Sequence, residues 1–113
     1  MQFEMARRRM LQEVPKADVI LTNPTHVAVA LKYDSETMAA PMVLAKGPDL
    51  LGEQIKDIAR AHRIPIIQKP KLARSIYHAV DVGQAIPETL FIAVAEVLAM
   101  IYRIRGRRAG ARK

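Results

Sequence analysis

Apolar residues fall along this chain in short blocks whose spacing changes from one block to the next. Residues 17–22 form a brief continuous apolar run through Val19, Ile20 and Leu21, the pattern of a buried strand. Residues 27–32 alternate the larger Val27, Val29 and Leu31 with Ala28 and Ala30, which predicts a strand with two unlike faces. Residues 42–46 read as a third strand, closed by Gly47-Pro48. Asp49 is the expected N-cap of a helix that sets Leu51, Ile55, Ile58 and Ala59 on one side. Glu53, Lys56, Asp57 and Arg60 face water there as two i,i+3 pairs of opposite sign, and Gly52 is expected to weaken the helix slightly. Ile64-Pro65-Ile66-Ile67 is a fourth short strand, which Pro65 confines to a strand start or an edge. A short helix over 71–79 turns Leu72 and Ile76 inward, with Val80 just past its end. Pro87 and Glu88 open a last helix, apolar around most of its circumference and suited to covering a sheet.

Residues 1–14 have helix-forming composition and only a ragged apolar stripe of Phe3, Met10 and Val14, so they read as a linker helix. The expected fold is therefore α/β: a small mixed four-stranded β-sheet flanked by helices, with an extended N-terminal linker helix. At 113 residues and 50% hydrophobic the chain suits one domain with a single core. It holds no cysteine, which excludes disulfides and thiol chemistry. No apolar run is long enough to span a bilayer.

The net charge of +7 invites a nucleic-acid reading, but its distribution argues against one. Arg7, Arg8 and Arg9 lie at one end; Arg103, Arg105, Arg107, Arg108, Arg112 and Lys113 lie at the other. The stretch between carries the remaining nine basic residues against ten acidic ones, with few aromatics to stack on bases. Residues 104–113 read as a basic flexible tail, and basic ends of this kind suit anionic lipid. His26, His62 and His78 are widely spaced and have no acidic cluster beside them, so neither a metal nor another cofactor is expected.

The one stretch with distinctive chemistry is Asn23-Pro24-Thr25-His26, set between the first two strands. Asn and Pro are common turn residues, and a plain structural turn accounts for them. A second reading follows from the missing N–H of Pro24. That absence blocks the usual attack of the next backbone nitrogen on the Asn side chain. The reverse attack remains open, in which the Asn23 amide nitrogen closes on its own carbonyl, a succinimide forms and Pro24 leaves. Holding the side chain against its carbonyl can supply several kcal/mol. His26, with an ordinary pKa of about 6.5, is placed to take or return the proton. Thr25 offers a hydroxyl to the loop or to the developing oxyanion.

Asp18 to Tyr33, which contains this tetrapeptide, resembles the signature of the FlhB/YscU family, the export switch proteins of type III secretion. Ala40-Pro41-Met42-Val43-Leu44-Ala45-Lys46-Gly47, Ile64-Pro65-Ile66-Ile67, Ile86-Pro87-Glu88 and Ala95-Glu96-Val97-Leu98 follow in the family's order, with wording closer to the flagellar branch. The resemblance covers the chain from about Pro15 to Arg103. It implies a self-cleaving cytoplasmic domain over residues 15–103, cut once between 23 and 24. Residues 1–14 would lead back to a membrane-embedded region at the bacterial inner membrane. Asn23 is then the nucleophile, Pro24 the leaving group, and Thr25 and His26 the assisting pair, in a single turnover rather than a catalytic cycle. It also implies a small apolar pocket at Ala40, Pro41, Ala95 and Leu98 for a short motif of early export substrates. The implied partners are rod and hook subunits, the hook-length control protein and other membrane components of the export gate. Cleavage would let export pass from rod and hook subunits to filament subunits. An injectisome paralogue and a docking module that never cleaves are the alternatives.

Overall fold

The computed structural model describes residues 2–111 and arranges them as four strands and four α-helices. Helix α1 (Gln2–Glu13) leads through a 3-10 turn at Val14–Lys16 into β1 (Val19–Asn23). Strand β2 (Val27–Lys32) returns antiparallel to β1, and β3 (Met42–Pro48) runs antiparallel to β2. Helix α2 (Asp49–Ala61) then carries the chain to β4 (Ile66–Gln68), which pairs parallel with β1. The sheet order is β3-β2-β1-β4, so β1 lies inside the sheet and the mixed four-stranded expectation holds. Helix α3 (Pro70–Ala79), a 3-10 turn at Glu88–Leu90 and α4 (Phe91–Ala111) complete the chain.

Strand alternation divides the core between the two faces of the sheet, because successive side chains point to opposite sides. Val19, Leu21, Val29, Leu31 and Val43 face α3 and α4, meeting Ile76, Val94, Val97 and Ile101. Ile20, Ala28, Ala30 and Ala45 face the other way, toward Ile55 and Ala59 of α2 and Val14. The two unlike faces expected of 27–32 have a structural purpose. Alanines on the α2 side let that helix approach closely, while valines and leucine on the other side fill the thicker layer beneath α3 and α4. Val14 is fully buried and Met10 and Leu11 pack beside it, so the end of α1 is anchored to the domain. Phe3, at 92% exposure, has no such anchor.

Several expected boundaries move. Strand β3 continues through Gly47-Pro48, where Pro48 pairs with Val27 at the sheet's edge. β4 begins at Ile66, and Ile64 is buried ahead of the strand. Residues 104–111 of the expected basic tail continue α4 as helix; Arg112 and Lys113 lie outside the described residues. Arg and Ala favour helix strongly, which carries α4 past Gly106 and Gly110. Among the described residues, no helix is long and apolar enough to cross a membrane.

Candidate functional site

Asn23 is the last residue of β1 and Val27 the first of β2, and the two are directly paired across the ladder. The chain must reverse over the intervening residues, and Pro24 supplies the fixed φ suited to the second position of such a turn. The turn is closed by the His26 backbone N–H, which donates to the Asn23 carbonyl oxygen at 2.9 Å. Asn23 is half-buried, whereas Pro24, Thr25 and His26 are exposed.

The turn is supported from below by the start of α2. The Asp49 N–H donates to the His26 carbonyl at 3.0 Å. Lys56, two turns further along α2, extends its Nζ to within 3.4 Å of the Pro24 carbonyl oxygen and pairs with Glu53. That pairing, through a side-chain hydrogen bond and the ammonium's charge, holds the Glu53 carboxyl below its ordinary range. Together Pro24, Thr25 and His26 with Asp49, Gly52 and Lys56 enclose a hollow of about 240 Å³.

Two glycines permit this closeness. A Cβ on Gly47 would stand 2.4 Å from Leu51 Cγ, and one on Gly52 would stand 3.0 Å from the Gly47 carbonyl oxygen. The expected N-cap role of Asp49 is corrected here. Pro48 is the cap, with no side-chain cap hydrogen bond, and Asp49 is already inside the helix with φ +44°. That left-handed backbone is costly for a residue with a Cβ. It accompanies the aim of the Asp49 N–H at the turn.

The geometry assigns the residues unequal parts. The Asn23 carbonyl, the one an intramolecular attack would strike, already accepts the His26 N–H. A donor in that position stabilises charge that develops on the oxygen. The donor that the structure places on this oxygen is the His26 backbone N–H. Among the described residues neither the Thr25 nor the His26 side chain makes a hydrogen bond. No group of three metal-ligating side chains converges among them either. Sequence reasoning missed Asp49, Gly52 and Lys56 as neighbours of the turn; the only sequence signal was Gly47-Pro48-Asp49 itself, which reads as a strand end.

A second feature lies on one flank of α4. Pro41, Ala95 and Leu98 line a groove of about 300 Å³ with Tyr33, Phe91 and Tyr102. Ala40 is not on its wall; its neighbour Ala39 is. The segment is fixed by the Ile86 N–H on the Pro41 carbonyl at 2.8 Å. Tyr102 donates to the Tyr33 carbonyl at 3.4 Å, and partial burial followed by the negative charge of Asp18 pushes its phenol pKa up.

Comparison with known proteins adds a lineage to this geometry. A family model described as FlhB HrpN YscU SpaS matches residues 1–101. The flagellar biosynthetic protein FlhB of Bacillus subtilis is 53% identical over 104 residues, covering 92% of this chain and 29% of that protein. Its counterpart in Salmonella typhimurium is 50% identical over 114 residues, covering 100% of this chain and 30% of that protein. The chain therefore spans under a third of the length of these relatives. Among solved structures, the cytoplasmic domain of FlhB from Shewanella putrefaciens superposes with a TM-score of 0.87 at 50% identity, covering 92% of this chain and 80% of that one. An asparagine-to-alanine variant of the EscU C-terminal domain gives a TM-score of 0.78 at 34% identity, covering 81% and 92%. Other EscU structures carry substitutions of the next residue, a proline, and of a histidine two positions beyond it.

Proposed function

This chain belongs to the FlhB, HrpN, YscU and SpaS family, on its FlhB side, and we propose that it is the cytoplasmic part of a flagellar type III export component that cuts itself between Asn23 and Pro24. The observation that carries this reading is the turn itself. An Asn-Pro bond, whose proline has no N–H to attack the Asn23 side chain, is held at a strand end, with the Asn23 carbonyl polarised by the His26 N–H at 2.9 Å. The substitutions made in EscU fall on an asparagine, a proline and a histidine with the spacing of Asn23, Pro24 and His26, which supports the same focus.

The chemistry balances within the chain. Asn23 Nδ2 attacks its own carbonyl carbon, and the carbonyl electron pair moves to the oxygen facing the His26 N–H. The proton lost from Nδ2 passes to the Pro24 nitrogen, with the His26 imidazole as carrier. Collapse breaks the Asn23–Pro24 bond, leaving a C-terminal succinimide that water later opens and a free Pro24 amine. One molecule performs this once. The loop gains freedom and a new charge, and this change lets export pass from rod and hook subunits to filament subunits. The groove at Pro41, Ala95 and Leu98 receives a short apolar motif of the earlier substrates.

Intact mass under denaturing conditions tests the cut. Fragments ending at Asn23 and beginning at Pro24, absent from Asn23→Ala, are expected. A single 12.6 kDa species that persists through long incubation would refute cleavage of this chain.

A further inference from the structure

Helix α4 rests on the sheet through Val94, Val97, Leu98 and Ile101, and at 100° per residue its two flanks are separate surfaces. Phe91, Ala95 and Tyr102 form one flank, at the groove already described. Ala93, Met100 and Arg103 lie on roughly the opposite flank, where α4 faces the start of α3 across a cleft of about 630 Å³. The floor of this cleft is apolar, built on Leu72, Val97 and Met100. Its rim carries Lys69, Lys71 and Arg103, with Glu96 as the one acid. None of the three cations has an ion-pair partner among the described residues.

The charge here is local, since the body of the chain is close to neutral. Residues 58–80 contain Arg60, Arg63, Lys69, Lys71 and Arg74 and no acid at all. An apolar floor ringed by unpaired cations matches a segment that offers an apolar anchor between carboxylates. Burial of the anchor supplies affinity, and the rim selects charge and register. Met100 suits such a floor, because its unbranched thioether adapts to the shape of a guest. We propose that the cleft between α3 and α4 is a docking site for an acidic, apolar peptide segment of a partner protein, distinct from the Pro41–Ala95 groove and independent of cleavage at Asn23.

The test uses the 113-residue chain and three probes: a short peptide with two leucines flanked by Asp and Glu, the same peptide with Lys in place of the acids, and phosphatidylglycerol vesicles. The acidic peptide is expected to shift the amide signals of Lys71, Leu72 and Met100. The joint variant Lys71→Glu, Arg103→Glu should weaken it about tenfold with an unchanged melting temperature, as expected for a few exposed charge contacts. Ala93→Leu, which fills the cleft from an exposed position, should weaken it without altering charge. Equal binding of the Lys-flanked peptide would overturn the proposal, as would shifts confined to Pro41 and Ala95 or no shifts at all. Vesicle binding that depends on Lys71 and Arg103, with no peptide binding, would assign the surface to a membrane and overturn it as well.

Discussion

Severing the chain between Asn23 and Pro24 should free the loop and leave β1 in place. The cut can come from cleavage, or from producing residues 1–23 and 24–113 as two polypeptides. What the cut removes is small: the turn's closing bond from the His26 N–H to the Asn23 carbonyl, a contribution of about 0.5–1.5 kcal/mol. What it spares is large. β1 is paired on both sides, with β2 and with β4, and Val14, Val19, Ile20 and Leu21 are fully buried. Each such side chain contributes roughly 1.5–3 kcal/mol by its burial. The two pieces are therefore expected to co-elute in native size-exclusion chromatography and to part only in denaturant. Hydrogen exchange should find the His26 amide newly exposed while the amides of Ile20 and Leu21 stay protected. Release of residues 1–23 in native buffer, or uniform loss of protection along β1, would refute the claim that the change is confined to the loop.

Gly52→Ala sets helix propensity against packing. Propensity alone gives a gain of about 1 kcal/mol, but the new Cβ would meet the Gly47 carbonyl oxygen, held in the sheet, at 3.0 Å; denaturant unfolding is expected to show a net loss, and a gain would mean α2 slides freely over the sheet. The Glu53 carboxyl should titrate below the ordinary glutamate value by NMR and return toward it in Lys56→Met. Because its folded pKa is the lower one, the contribution of this pair is present above the ordinary carboxylate range and fades as pH falls through the folded value; an unmoved titration in Lys56→Met would refute the pairing. Ala95→Leu, at an exposed position of the Pro41 groove, should change stability by less than about 0.5 kcal/mol while reducing export of rod and hook subunits, and undiminished export would remove the groove from substrate docking.

The parts of this molecule legible in its sequence are those whose cause lies within a few residues. Alternation of Val and Ala over 27–31 declares a strand with two faces, and both faces are buried as the pattern requires. The Asn-Pro pair declares its chemistry without any fold, because the missing N–H is a property of Pro24 itself. What was not legible depends on register. Lys56 reaches Pro24, 32 positions away, only because β3 ends beside the turn and α2 begins there. Gly52 illustrates the difference most clearly. Read along the chain it is a flaw in a helix; read across the sheet it lets α2 lie against Ala28, whose backbone nitrogen a Cβ would approach to 3.5 Å. The same approach brings the Asp49 N–H to the His26 carbonyl. On the proposed reading, orientation for intramolecular attack would come from that support, since an Asn-Pro bond in an unsupported chain lacks the positioning on which the rate depends. The Asn-Pro pair is local in sequence, and the contacts that hold its turn belong to the tertiary fold.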